Sequence, residues 1–147
     1  MNIDIIDRPL SFRLAGAVKQ HDPSKCYGEE IIALLDQVWA AIRGHQVAHR
    51  GINHVLYGAN CEVFAGVEID VDPPEKIGLI GRELTIRKYA YYKHQGPYAK
   101  LSEVHPGMAS ELRRLGLRQG HPVVEVYGHW VDDEAKLETE VIYPIEE

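Results

Sequence analysis

Ile31, Leu34, Leu35, Val38 and Ile42 fall at offsets of 3, 4, 7 and 11 residues, which is one helical face, and the acidic pair Glu29-Glu30 suits the positive end of a helix. The pattern predicts a helix from about Gly28 to Gly44. Ahead of it, "SFRLAGAVK" (residues 11–19) spaces Phe12, Leu14, Ala17 and Val18 as a loose strand, with Gly16 as a candidate bulge. Behind it, "HVLYG" and "CEVFAGVEIDV" are short runs of β-formers separated by Ala59-Asn60, and they read as a hairpin. The first half is strand, helix, strand, strand.

Proline and glycine then punctuate "DPPEKIGLIG", a connector over about residues 73–83, and beyond it the plan repeats. "LTIRKYAYYK" reads as one strand. After "HQGP", apolar positions at Tyr98, Leu101, Val104, Met108, Leu112 and Leu115 step by 3, 3, 4, 4 and 3, predicting a second helix. Pro106 lies inside it and predicts a kink or break near Val104-His105. "PVVEVYGHW" and "KLETEVIYPIE" alternate as two strands across the turn "VDDEA". Lys19 to Lys93 and Pro23 to Pro97 are offset by 74, and Tyr57-Gly58 to Tyr127-Gly128 by 70. The expectation is one α+β domain over residues 1–147. It consists of two strand-helix-strand-strand repeats, about 3–72 and about 84–146, related by a pseudo-twofold axis. Antiparallel sheets carry the helices, and a ligand cleft lies between the halves.

Composition narrows the function. At 147 residues the chain can bury a core without disulfide or metal staples. Its net charge of -6, with "ELRRLGLR" as the one basic tract, argues against direct nucleic-acid binding. Cys26 and Cys61 stand far apart and are expected to be ordinary buried, reduced thiols. There is no basic n-region before an apolar stretch and no apolar run of about 20 residues, so a soluble cytoplasmic protein without membrane contact is expected. Eight tyrosines and two tryptophans against two phenylalanines suit a partly wet pocket.

One acid breaks the symmetry of the repeats. With an offset of 70, Glu125 takes the place of Val55, and alternation puts it on one face with Val123 and Tyr127, beside Val124 and Val126. Such a carboxylate is costly to desolvate, and its pKa should drift upward in the empty protein. A cationic ligand would remove that cost. Walls formed by Tyr127, Tyr57, Tyr91 and Trp39 would add cation-π attraction of roughly 0.5 to 2 kcal/mol each. The alternative places Glu125 at an open sheet end, paired with an Arg or Lys. His45, His49 and His54 are spaced 4 and 5 apart, but they follow a helix end and flank Gly51, so neither a metal nor another cofactor is expected. His94 is assigned to hydrogen-bonding its own Gly-Pro turn. No G-x-S-x-G, P-loop or G-x-G-x-x-G occurs, and no catalytic residue is assigned.

Taken in order, His94, Gly96, Pro97 and Tyr98, then Pro122, Glu125 and Tyr127, then Ile142, Pro144 and Ile145, with Phe64, Gly66 and Glu68 in the first half, resemble the GyrI-like effector-binding family. The likeness runs from about Ile5 to Glu146. It implies the duplicated fold and a small-molecule pocket in which Glu125 pairs with lipophilic cations, as in the effector domains of AraC-type and MerR-type multidrug-responsive regulators. It also implies two alternatives: hydrolysis of strained, DNA-alkylating natural products by the same glutamate, and a protein-protein module that modulates gyrase. The sequence contains no helix-turn-helix segment, so a regulatory role calls for a separate DNA-binding partner. Pro106 sets this chain's second helix apart from the family pattern.

Overall fold

The computed structural model describes residues 1–147. Its strands are β1 (Asp4–Ile6), β2 (Leu10–Gln20), β3 (His54–Tyr57), β4 (Glu62–Val67), β5 (Ile80–Ile86), β6 (Tyr89–Gln95), β7 (Val123–Tyr127) and β8 (Glu138–Pro144). Its helices are α1 (Tyr27–Gly44), between β2 and β3, and α2 (Leu101–Arg114), between β6 and β7. The class is α+β: all strands form one antiparallel sheet in the order β1-β6-β8-β7-β3-β4-β2-β5. Both helices lie on one face of it. α1 buries Ile31, Leu34, Val38 and Ile42 against Ala15, Val63, Ala65 and Val67, and α2 buries Leu101, Val104, Met108 and Leu112 against Ala90, Val123, Val141 and Tyr143. Truncating one of these, such as Met108 to Ala, would cost about 2 to 5 kcal/mol.

The two buried stripes are related residue for residue by the offset of 70, from Ile31 and Leu101 to Ile42 and Leu112. In the β3–β7 ladder Val55 pairs with Glu125 and Leu56 with Val124. Val55 and Glu125 are therefore both partners and counterparts, and the pseudo-twofold axis passes between them. The leading strands keep a slightly different register: Val18 pairs with Phe64, which pairs with Leu56, while Lys93 pairs with Glu140, which pairs with Val126. Val18 is thus the counterpart of Lys93, an offset of 75, and Lys19 corresponds to His94.

The sheet has to curl. β5 and β6 lie six strand spacings apart in the sheet, about 29 Å if it were flat, yet Ile86 and Tyr89 are joined by a link that spans at most about 11 Å. Both enter one cluster with Leu14, Leu56, Phe64, Val124 and Ile142, which fills the concave face away from the helices. The first strand of each half also crosses over, β1 pairing with β6 and β5 with β2.

Several sequence expectations change here. The connector 73–83 contains a single 3-10 turn, Pro74–Ile77, and the start of β5, and "LTIRKYAYYK" breaks into two strands at Arg87-Lys88. Gly16 is no bulge, since its ladder with Gly66 is continuous. Pro106 does not break α2, because it lies on the exposed side just past the first turn, where water can take the carbonyl it leaves free. Both cysteines are exposed: Cys26 caps α1, and Cys61 sits in the β3–β4 turn at φ 60. No helix is long and apolar enough to cross a membrane.

Candidate functional site

At the centre of the helix-bearing face, β3 and β7 bring Tyr57, Glu125 and Tyr127 together, because Tyr57 pairs with Val123 and strand alternation keeps 123, 125 and 127 on one side. The Glu125 side chain is 2 % exposed. Its Oε1 accepts the Tyr57 hydroxyl at 2.7 Å and the Tyr127 hydroxyl at 2.6 Å, and its Oε2 lies 2.7 Å from His105 Nε2 on α2. His105 Nδ1 is 2.7 Å from the Tyr143 hydroxyl on β8. A carboxylate can only accept, so Nε2 carries the proton toward Glu125, and in the neutral tautomer this leaves Nδ1 to accept from Tyr143. The result is a chain from Tyr143 through His105 to Glu125, with two further phenols closing on the same carboxyl.

Electrostatics follow from that wiring. Burial alone would raise the Glu125 pKa, but the bonds donated by His105, Tyr127 and Tyr57 outweigh it and hold the carboxyl below its usual range. This reverses the upward drift read from the sequence, where the donors were not visible. Burial and the Glu125 charge push Tyr57 and Tyr127 upward, and Tyr143 up to about 12, so the phenols stay protonated. No Lys or Arg pairs with Glu125; its one basic neighbour is His105. The open-ended, Arg- or Lys-paired alternative does not match this arrangement.

Above the carboxyl lies a cavity of about 540 Å³, walled by Tyr27 and Ile31 of α1, by Tyr98 in the turn ahead of α2 and Leu101 at its start, and by Tyr57 and Tyr127. Tyr27 is held in place by a stack on His21, ring centroids 3.8 Å apart. His21 in turn bonds the second buried acid, Glu30, which also takes Lys19 Nζ at 2.5 Å and the Asp22 backbone N–H at 3.1 Å. The bond from Lys19, against the opposing effect of burial and with help from His21, lowers Glu30 to about 2.

Of the five residues named from sequence, three meet here. Trp39 does not line the cavity: its Nε1 donates to Asn53 Oδ1 at 2.9 Å, and its ring packs edge-on against His49. Tyr91 pairs with Ile142, which points to the concave face, so it joins the Leu14 and Phe64 cluster on the other side of the sheet. His94 Nε2 lies 3.0 Å from the Pro97 carbonyl, across its own turn. His105 and Tyr143 escaped the sequence reading. Yet His105 is the counterpart of Leu35 at the same offset that singled out Glu125, and that register could have found it. No three His, Cys, Asp or Glu side chains converge in a geometry fit for a metal ion.

The GyrI-like small molecule binding domain family matches residues 1–146. Sequence comparison with curated proteins finds no match. Among solved structures, the chain resembles the EcmrR C-terminal domain with a TM-score of 0.74 and 16 % identity, covering 100 % of this chain and 99 % of that one. It resembles SAV2435 bound to tetraphenylphosphonium at a TM-score of 0.64 and 14 % identity, over 99 % and 94 % of the two chains. A hydrolase from Listeria innocua follows at 0.54 and 11 %, over 98 % and 91 %. At these identities the likeness is one of fold.

Proposed function

The chain belongs to the GyrI-like small molecule binding domain family, and we propose that its cavity takes small amphipathic, aromatic cations with Glu125 as the charge partner. One observation carries this reading: a buried carboxylate held ionised by hydrogen bonds from two tyrosines and a histidine, with no Lys or Arg beside it, at the floor of a cavity walled by tyrosine rings. A cation entering there gains Coulomb attraction in a low-dielectric site and the faces of Tyr57, Tyr127, Tyr98 and Tyr27. The carboxyl is already oriented, so little is spent on ordering it. The similar fold of SAV2435, bound to a lipophilic cation, supports the same choice. Calorimetric titration of tetraphenylphosphonium into the wild type and a folded Glu125→Gln variant tests it. A clear loss of affinity in the variant is the expected result, and equal affinity in both would sink Glu125 as the charge partner.

The hydrogen-bond chain favours one second reading, hydrolysis of a strained electrophile, and a similar fold is described as a hydrolase. An ionised Glu125 suits a base that orients water rather than a general acid. Product formed over many turnovers under excess substrate, and abolished in Glu125→Gln, would select it; one equivalent of bound, unchanged compound per chain would reject it.

A further inference from the structure

The register that relates the halves also relates the Glu125 cavity to a second one. A pocket of about 480 Å³ lies over α1, lined by Ile31, Ile32 and Leu35 with Asn53 just ahead of β3. At the offset of 70 these are the counterparts of Leu101, Ser102, His105 and Val123, which line the first cavity. Tyr98 and Tyr127 belong to both walls. The two pockets are therefore adjoining chambers, one on each side of the pseudo-twofold axis.

Duplication has left them chemically unlike. Leu35 stands where the first chamber has His105 and Ile32 where it has Ser102, while Val55, the counterpart of Glu125, is fully buried and offers the second chamber no charge. The polar side chains of its wall are Tyr98, Tyr127, His129 and Asn53, and the Asn53 Oδ1 is already taken by Trp39 Nε1, leaving its amide N–H groups as donors without a protein partner. A further difference is length: residues 58–61 join β3 to β4, whereas residues 128–137 join β7 to β8. The longer connection places Trp130 in the wall of the second chamber, 65 % exposed, its ring centroid 6.5 Å from that of Tyr98. An indole left mostly in water at the rim of an apolar pocket has surface to gain from a ligand.

We infer that the two chambers form one bipartite site for an elongated amphiphile, its cationic end on Glu125 and an uncharged aromatic lobe held between Ile32, Leu35 and Trp130. This rests on the cation reading of the Glu125 chamber and specifies what the far end of the ligand must be. A compact cation would fill one chamber and leave the other empty.

Two probes separate the possibilities: phenyltrimethylammonium, which is compact, and a trimethylammonium tethered to a biphenyl group. Both would be titrated by calorimetry into the wild type, Glu125→Gln, and the double variant Ile32→Ser/Trp130→Ala, whose substituted side chains are exposed and leave the core untouched. The double variant is expected to weaken the tethered probe about tenfold while leaving the compact one unchanged, and Glu125→Gln to weaken both. Binding of the tethered probe at one equivalent per chain is part of that expectation. Unchanged affinity for the tethered probe in the double variant, or two equivalents per chain, overturns the bipartite site alone. No effect of Glu125→Gln on the compact probe, or no binding of either probe, overturns the cation reading and the bipartite site with it.

Discussion

His105 Nε2 lies 2.7 Å from Glu125 Oε2, and these two residues occupy the positions that Leu35 and Val55 hold in the other half. The fold thus holds one helix-sheet position pair in a polar and an apolar version. Replacing His105 with Leu removes one donor from a buried carboxylate and should cost about 1 to 3 kcal/mol. Replacing Glu125 with Val strands three donors and should cost about 3 to 5 kcal/mol. The double variant, which copies the first half, should lose less than the sum, with an interaction energy of about 0.5 to 3 kcal/mol. Urea unfolding of the four proteins measures this, and strict additivity would refute the coupling.

The depressed pKa of Glu125 can be taken apart donor by donor. Tyr57→Phe and Tyr127→Phe each remove one bond to Oε1 and let burial push the carboxyl upward. Followed by its carboxyl carbon-13 shift, Glu125 should titrate below the usual carboxylate range in the wild type and at higher pH in each variant. His105 is common to all three proteins, so the differences report the phenols. Identical titrations would mean that the phenols do not hold the charge.

Glu30 makes a stability prediction with a definite sign. Its folded pKa, about 2, lies below the usual value of 4.5, so its stabilising contribution is present above pH 4.5 and is lost as pH falls toward 2. The stability gap between the wild type and Glu30→Gln should therefore narrow across that window in denaturant titrations. A gap independent of pH would show that Glu30 is not the linked group.

Much of this was legible in residue spacing, and the failures have physical causes. The stripes Ile31 to Ile42 and Leu101 to Leu112 marked both helices, since a buried helical face has to repeat every three or four residues. The Val55 to Glu125 equivalence survived because a duplicated ladder keeps its register even where a loop has grown. β1 and the start of β5 were missed because edge strands owe their place to pairing with the other half rather than to their own pattern. Tyr91 was assigned to the wrong face: alternation says which residues share a side and not which side carries the helices. The Glu125 pKa was misjudged because its donors come from positions 57, 105 and 127, brought together by the fold alone.

Gly16 and Gly66 give the last prediction. They pair across β2 and β4, and a Cβ added at Gly16 would lie 2.1 Å from the Ala65 carbonyl oxygen, while one at Gly66 would lie 2.6 Å from the Ala15 carbonyl oxygen. Both obstacles are backbone, so no side chain can swing away to make room. The counterparts in the second half, Tyr91 and Ile142, pair with full side chains, so this close approach belongs to the first half. Gly16→Ala must force β2 and β4 apart beside the buried Leu14, Ala15 and Phe64, and should destabilise the protein by about 1 to 3 kcal/mol or more. Gly44→Ala is the control: its added methyl would meet nothing within 4 Å at the end of α1 and should gain about 0.4 to 1 kcal/mol. Urea midpoints decide the matter, and a Gly16→Ala protein as stable as the wild type would show that the two strands have room to part.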